Sequence, residues 1–354
     1  MIELFVGSTT KYTGKTMAVL GVLDYWQGQG LKVGYFKPVG KNFTLKDDKK
    51  VEEDALLVKQ RFNLADDLEL ICPFSLTRQD YIHLAAGKIG DAGKAIFGAY
   101  EMIKKGKDAL LIGGGQDVYD GASVGVSSLS FIERADVPAI VVDAPVLGDI
   151  NLDAIMAIRD RLGRRLLGVI LNRLPPESID FIRRYFVPFL EGKGVRVWGL
   201  VPANPRLSSL SVNEIRDVLT GSLICCEDRG GEAVENFMVG AMNVESALRY
   251  FRSQACKAVI TGGDRTDIQL AALETPTRVL ILTGGMHPDS SVLYAAQQRR
   301  VPVMVVADDT MTVVSKMDAA VRKIPVSGRR IEESIATFRC HVDKKYLEDL
   351  AGGK

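Results

Sequence analysis

The sequence predicts an α/β protein, a doubly wound and mostly parallel sheet followed by a smaller α/β domain. Three observations carry this. Short apolar runs alternate with helical patterns through the first two hundred residues, the rhythm of a parallel sheet whose crossovers are helices. The first apolar run leads straight into a glycine-containing loop and then Gly14-Lys15-Thr16, which opens a helix. A Pro- and Ser-rich break at Val201–Ser211 (VPANPRLSSLS) interrupts the rhythm, as a connection between domains does, and the rhythm then resumes.

The elements follow in order. Met1–Val6 is a strand buried on both faces, because its apolar run is continuous rather than alternating. Thr16–Gln27 is a helix carrying Met17, Val19, Leu20, Val22 and Leu23. Lys32–Phe36 is a strand and Glu52–Phe62 a helix. Ala109–Ile112, Ala139–Val142, Leu167–Leu171 and Val195–Leu200 are strands with helical segments between most of them. Past the break come Val212–Leu219 (helix), Ser222–Cys226 (strand), Val244–Arg252 (helix), Ala258–Thr261 (strand), Asp267–Leu273 (helix), Val279–Thr283 (strand), Ser290–Arg299 (helix), Val303–Val306 (strand) and Thr312–Val321 (helix). The last thirty residues are charged and read as a helix with a frayed tail, Gly352–Lys354. The expected division is residues 1–205, 206–325 and 326–354.

Composition excludes several classes. Of 354 residues 47% are hydrophobic and 25% charged, ordinary for a globular protein and long enough for two cores. Lys plus Arg number 45 against 44 for Asp plus Glu, a net charge of +1, so no basic excess points to nucleic acid. No apolar stretch is long enough to span a bilayer and the N-terminus lacks a signal-peptide pattern, so a cytoplasmic protein is expected. Five cysteines, Cys72, Cys225, Cys226, Cys256 and Cys340, fit no zinc spacing and read as reduced thiols. Cys225 and Cys226, as strand neighbours, are expected to face opposite ways.

The loop Gly7–Thr16 (GSTTKYTGKT) carries the clearest chemistry. Backbone N–H groups there and at the helix N-terminus point at a bound anion. Gly14 allows close approach, Lys15 neutralises β/γ-phosphate charge, and the Thr16 hydroxyl coordinates Mg²⁺. The common form of this loop places four residues between its two glycines, whereas Gly7 and Gly14 enclose six. The strand before it and the helix after it supply the context the motif requires.

Residues around this loop resemble the dethiobiotin synthetase group of P-loop proteins, which includes cobyrinic acid a,c-diamide synthase and has a longer loop, GTxxxxGK[TS]. Ser8–Thr16 matches it in length, with Ser8 at the group's first glycine and Thr13 beside Gly14. Lys37-Pro38 in FKPVG, Asp54 in EEDALLV, Ile71–Ser75 (ICPFS) and Asn172 in LNRL are further matches. The resemblance implies catalytic roles for Lys15 and Lys37, Mg²⁺ ligands in Thr16 and Asp54, and adenine recognition by Asn172. It implies ATP or ADP as ligand. Read from the residues alone, Asp54 also suits a helix cap, Lys37 a loop position and Asn172 a turn before Pro175-Pro176.

The whole chain resembles the N-terminal region of long-type phosphotransacetylases, a dethiobiotin-synthetase-like domain followed by a DRTGG domain. Val239–Phe251, Val259–Glu274 and Leu280–Gly285 carry the second half of that match. No counterpart of the acyltransferase domain is expected within these 354 residues, which implies a separately encoded acyltransferase as partner. The resemblance also implies a homodimer. In the synthetases a glutamate closes a central strand and binds Mg²⁺; here Gly113 stands in that place, within LLIGGGQDVYDG, and Asp117 or Asp120 would have to substitute. Glycine at this position removes one of two carboxylates and with it much of the local negative charge that holds a hard dication such as Mg²⁺.

The turns TGGDRTD and TGGMHPD each follow a strand and precede a helix. Ligands in open parallel sheets bind at such strand ends, which makes Gly262, Gly263, Asp264 and Arg265 candidates for a phosphate or ribose. Two tight βα turns are the equal alternative. The resemblance implies either an adenine-nucleotide-binding regulatory protein or an ATP- and Mg²⁺-dependent ligase of the synthetase type.

Overall fold

A computed structural model describes residues 1–46, 49–88, 91–145, 149–322, 324 and 326–351; the tail Gly352–Lys354 lies outside them. The chain begins with β1 (Ile2–Ser8), α1 (Lys15–Gly28), β2 (Val33–Phe36), β3 (Phe43–Lys46), β4 (Lys49–Glu52), α2 (Glu53–Phe62), α3 (Leu68–Ile71), α4 (Arg78–Ala85) and α5 (Ala92–Ile103). There follow β5 (Ala109–Gly113), α6 (Ser128–Ala135), β6 (Ala139–Asp143), α7 (Leu152–Leu162), β7 (Leu166–Leu174), α8 (Ile179–Gly192) and β8 (Arg196–Pro202). Next come α9 (Pro205–Ser208), β9 (Leu210–Ser211), α10 (Val212–Leu219), β10 (Ser222–Cys225), β11 (Ala233–Val234), β12 (Asn236–Val239), α11 (Val244–Arg252) and β13 (Lys257–Gly262). The last elements are α12 (Thr266–Leu273), β14 (Thr277–Thr283), α13 (Ser290–Arg299), β15 (Val303–Val305), α14 (Thr310–Arg322), α15 (Arg329–His341) and α16 (Lys345–Ala351).

Two compact units result: Met1–Ala203 with the chain from Val326 onward, and Asn204–Pro325. In the first, six strands pair in the order β2-β5-β1-β6-β7-β8, all parallel. Leu4, Phe5 and Val6 of β1 are fully buried, as a central strand covered on both faces demands. α1 is apolar on most of its faces because it too is enclosed. Met17 through Leu23 and Trp26 are buried, and α15 packs along the helix with Phe338 seated where Gly21 has no side chain. Arg339 pairs with Asp24 at 2.6 Å. The C-terminal segment thus holds two helices, α15 and α16, where one was expected, and both belong to the first unit. The hairpin β3–β4, invisible in the hydrophobic pattern, lies between β2 and α2, so Glu52 closes a strand rather than opening the helix.

The second unit has a five-stranded sheet, β10-β15-β14-β13-β12, parallel except for β10. The segment read as a connection is partly ordered: α9 lies in it, and β9 pairs with β11. Cys226 corrects one expectation. The strand ends at Cys225, and Cys226 has φ 53° and starts a turn, so the pair is not a two-faced strand dipeptide.

Candidate functional site

In the first unit, the carboxyl edge of the sheet gathers the candidate residues. The loop leaves β1, Lys37 follows β2, Gly113 ends β5, Asp143 ends β6 and Asn172 lies near the end of β7. This is where open parallel sheets bind ligands, and the topology makes neighbours of residues 159 positions apart.

The loop is clamped from β7. Gly14 has φ 85° and precedes α1, a left-handed conformation that disfavours any Cβ. A Cβ there would also collide with Asn172 Nδ2. Asn172 is buried, and its Nδ2 donates to the Thr13 carbonyl at 2.8 Å. Asn172 is therefore not a surface turn residue: one of its two Nδ2 N–H groups holds the Thr13 carbonyl of the phosphate loop. At the loop's other end the Ser8 hydroxyl donates to the Gln116 carbonyl at 2.9 Å, and the Thr9 hydroxyl donates to Asp143. Asp143 is fully buried and also accepts the Asn151 N–H at 3.2 Å. Burial raises its pKa, and those two donors counter the rise. Gly7 continues the pairing of β1 with β6 opposite Val141.

Beneath the loop lies a compact cluster of two lysines and two acids. Lys37 pairs with Asp54 and, at 2.9 Å, with Glu52. Lys15 Nζ lies 3.8 Å from Asp54 Oδ2, and Thr16 Oγ1 donates to Asp54 Oδ1 at 3.2 Å. The side chains of Lys15, Lys37 and Glu52 are 10%, 4% and 2% exposed, so the four charges cancel in a nearly dry setting. Burial works against charge on Lys37, yet Asp54 and Glu52 outweigh it and hold its pKa well above the usual lysine range. Lys15, with burial and Lys37 both against it, falls to about 8. Asp54 stays well below the carboxylate range; burial alone would raise it, and the two lysines prevail. Burial lifts Glu52. The helix cap on α2 is Glu52, which accepts the Ala55 N–H at 2.8 Å, leaving Asp54 to the lysines. A cleft of about 620 Å³ opens beside Glu52, lined by Phe43, Lys50, Cys72, Pro73 and Thr77 among others, and so takes in the ICPFS segment.

Thr16 and Asp54 supply hard oxygen donors close enough to share one ion. Among the described residues no group of three or more His, Cys, Asp or Glu is placed to hold a metal. The pair fits a Mg²⁺ whose remaining ligands are phosphate oxygens and water, and does not make a metal site by itself. Both loop acids, the candidates to replace the carboxylate missing at Gly113, already have partners. Asp117 accepts the N–H groups of Tyr119 and Asp120, and Asp120 pairs with Lys41 at 2.5 Å.

In the second unit, the glycine turns are internally bonded. The Gly263 N–H donates to the Thr283 carbonyl at 3.1 Å, Gly284 to Asp308 at 2.9 Å and Gly285 to Val306 at 2.9 Å. Those three N–H groups brace strand ends. Arg265 donates to Asp267 at 3.1 Å and to the Met242 carbonyl at 3.0 Å. From a fully buried position, the Gln269 amide donates to the Gly262 and Gly263 carbonyls at 2.9 and 3.0 Å. Asp264 belongs to the same turn.

A buried first strand, a phosphate loop and a lysine at the next strand end define a P-loop α/β protein. Residues 3–211 match the family described as an AAA domain, and residues 214–320 match the DRTGG domain. The first match spans more than half of the chain, and the chain belongs to that AAA-domain family. It resembles the N-terminal region of phosphate acetyltransferases. The phosphate acetyltransferase of Pseudomonas putida is 25% identical, with 99% of this chain and 52% of the relative covered. That of Pseudomonas aeruginosa is 24% identical with the same coverage. The chain thus spans about half the length of these relatives. An uncharacterized Bacillus subtilis protein, YtoI, is 26% identical over 32% of this chain and 25% of its own length. Among solved structures, the CBS and DRTGG domains of the regulatory region of Clostridium perfringens pyrophosphatase, complexed with the activator diadenosine tetraphosphate, match at a TM-score of 0.29. Identity there is 19%, with 45% of this chain and 75% of that one covered. The MinD cell division protein of Aquifex aeolicus matches at 0.34, with 13% identity and coverages of 58% and 84%. No described helix is long and apolar enough to cross a membrane.

Sequence reasoning missed Glu52, Asp143 and Tyr35. An acid closing an apolar strand (AIVVD) was the available signal for Asp143. Glu52 was masked by the adjacent acids Glu53 and Asp54, and Tyr35 by looking like any strand aromatic.

Proposed function

We propose that the first unit binds an adenine nucleotide, ATP or ADP, through Gly7–Thr16, and that the chain acts as a nucleotide-responsive regulatory module. One observation carries the reading: Lys15 and Lys37 converge under a phosphate-loop backbone and are balanced chiefly by Asp54 and Glu52, with Asp120 acting on Lys15 from farther off. An incoming phosphate offers both lysines a partner of higher charge and displaces Asp54, so binding rearranges the cluster. Lys15 would neutralise the β/γ-phosphates and Lys37 the terminal group. A Mg²⁺ carried by the nucleotide would be held by Thr16 and Asp54, supplying charge neutralisation between phosphates. The second unit, a DRTGG domain, would pass the state to a partner; a separately encoded acyltransferase and a second copy of the chain are the two we propose. Arg265 and Asp264 remain its candidate ligand contacts, through side chains rather than the braced turn backbone. Calorimetry with ADP and a non-hydrolysable ATP analogue, with and without Mg²⁺, tests the reading. Micromolar binding abolished by Lys15→Ala supports it, and no binding of either nucleotide defeats it.

A second reading is favoured by the joint placement of Lys15, Lys37 and Asp54: an ATP-dependent ligase of the dethiobiotin synthetase type, in which the lysines stabilise the transferring phosphoryl group. Release of ADP stimulated by a small carboxylate or amine would support it. Its absence across such a panel leaves the regulatory reading.

A further inference from the structure

Tyr35 lies on β2, two residues before Lys37, and is fully buried. Its ring fills the space beside the end of β5, where Gly113 carries no side chain; a Cβ at 113 would collide with the Tyr35 hydroxyl and press on the ring at 2.9–3.0 Å. The hydroxyl has no hydrogen-bond partner among the described residues. The charged groups that face it are Lys37, Asp54 and Glu52, with the Cys72 thiol beyond them.

A buried hydroxyl left unpaired is destabilising, whereas phenylalanine would fill the same space without that penalty. The hydroxyl therefore has its use in another state of the site. Lys37 donates to Asp54 and forms an ion pair with Glu52. When a terminal phosphate draws Lys15 and Lys37 toward itself, the two carboxylates lose those donors. Buried Glu52 and partly buried Asp54 then oppose ligand binding unless another donor replaces the lysines, and a Mg²⁺ on Asp54 would answer for that carboxylate alone.

Resting on the nucleotide reading above, we propose that Tyr35 is a positioning residue of the phosphate site: its O–H donates to the Asp54–Glu52 pair in the nucleotide-bound state, which frees both lysines for phosphate. No proton is transferred; the hydroxyl stays neutral and only the donors exchange. Gly113 is part of the same device, because any side chain there would expel the ring.

The test compares the full-length wild type with Tyr35→Phe. Calorimetry uses ADP and a non-hydrolysable ATP analogue, and thermal melts are taken without ligand. The expected result is a split: an unchanged or higher ligand-free melting temperature with an affinity about tenfold weaker for the ATP analogue, the size of a hydrogen bond to a charged group. A purely structural hydroxyl would lower the melting temperature and leave affinity alone, and that outcome overturns the inference. So does an affinity within twofold of wild type. A wild type that binds neither nucleotide overturns the nucleotide reading and this inference with it; a wild type that binds beside an unaffected Tyr35→Phe overturns this inference alone.

Discussion

Asp54→Asn gives the sharpest test of the charge cluster. In the ligand-free protein it removes the carboxylate shared by Lys37, Lys15 and Thr16 and leaves two buried lysines with Glu52 as the nearest acid. Removing one partner of a buried ion pair costs about 3–5 kcal/mol. Asp54 is 21% exposed and Glu52 stays 2.9 Å from Lys37, which places the loss near the lower end, about 3 kcal/mol. For a unit of this size each 1 kcal/mol moves the melting temperature by about 2–4 °C, so a fall of about 6–12 °C is expected. Adding nucleotide reverses the order. In wild type a phosphate must displace Asp54 from the lysines; in the variant it finds them waiting. Melts in EDTA, with and without a non-hydrolysable ATP analogue, should therefore show larger ligand stabilisation in Asp54→Asn than in wild type. A ligand-free loss under about 2 °C, or equal stabilisation of both proteins, would refute the account of a charge-balanced cluster opened by phosphate.

Three further outcomes are expected. Asn172→Ala removes the donor to the Thr13 carbonyl; it should destabilise by about 1–2 kcal/mol and weaken nucleotide binding severalfold, as denaturant melts and calorimetry would register. Lys15 has a folded pKa of about 8 against an ordinary 10.5. The unfolded chain therefore binds more protons between those values, and this group makes stability rise with pH across that window. A bound phosphate favours the protonated lysine, so binding should take up a proton near pH 8 and weaken above it; calorimetry in buffers of different ionisation enthalpy reads the uptake, and a pH-independent affinity from 7 to 9 would count against it. Phe338→Ala empties the seat on α1 beside Gly21 and should cost about 3–5 kcal/mol. Limited proteolysis should then release the C-terminal helices before the rest of the first unit opens.

The C-terminal helices also place the second unit in the chain's logic. It is inserted between β8 and α15, both of which belong to the first unit, so covalent tethers run from each of its ends to the P-loop unit. One tether leads to α15, which lies along α1, the helix opened by Lys15 and Thr16.

Some of this was legible in the residues themselves. Buried parallel strands announce themselves through unbroken apolar runs, because both faces are covered, and Ile2–Val6, Ala109–Ile112 and Ala139–Val142 lie within the observed strands. Gly14-Lys15-Thr16 names its own position, since a phosphate loop is local: strand, loop and helix are contiguous, and the chemistry depends on that contiguity. Lys37 and Asp54 were legible by resemblance. What lay beyond reach was pairing across the fold. No local pattern tells Asn172 that it will clamp a carbonyl 159 positions earlier, or Tyr35 that its hydroxyl will fill the space left by Gly113. The hairpin β3–β4 is built of two four-residue strands rich in lysine and so leaves no hydrophobic periodicity, which hid the strand position of Glu52. For the glycine turns of the DRTGG domain a ligand cradle and a tight turn stayed equal alternatives, because sequence shows where N–H groups exist, not which carbonyls take them. The sequence by itself determined the phosphate loop and the parallel sheet behind it, both set by neighbours along the chain. Only the tertiary structure decided that two lysines, two acids and an unpaired tyrosine share one buried site, because strand order, not sequence order, makes them neighbours.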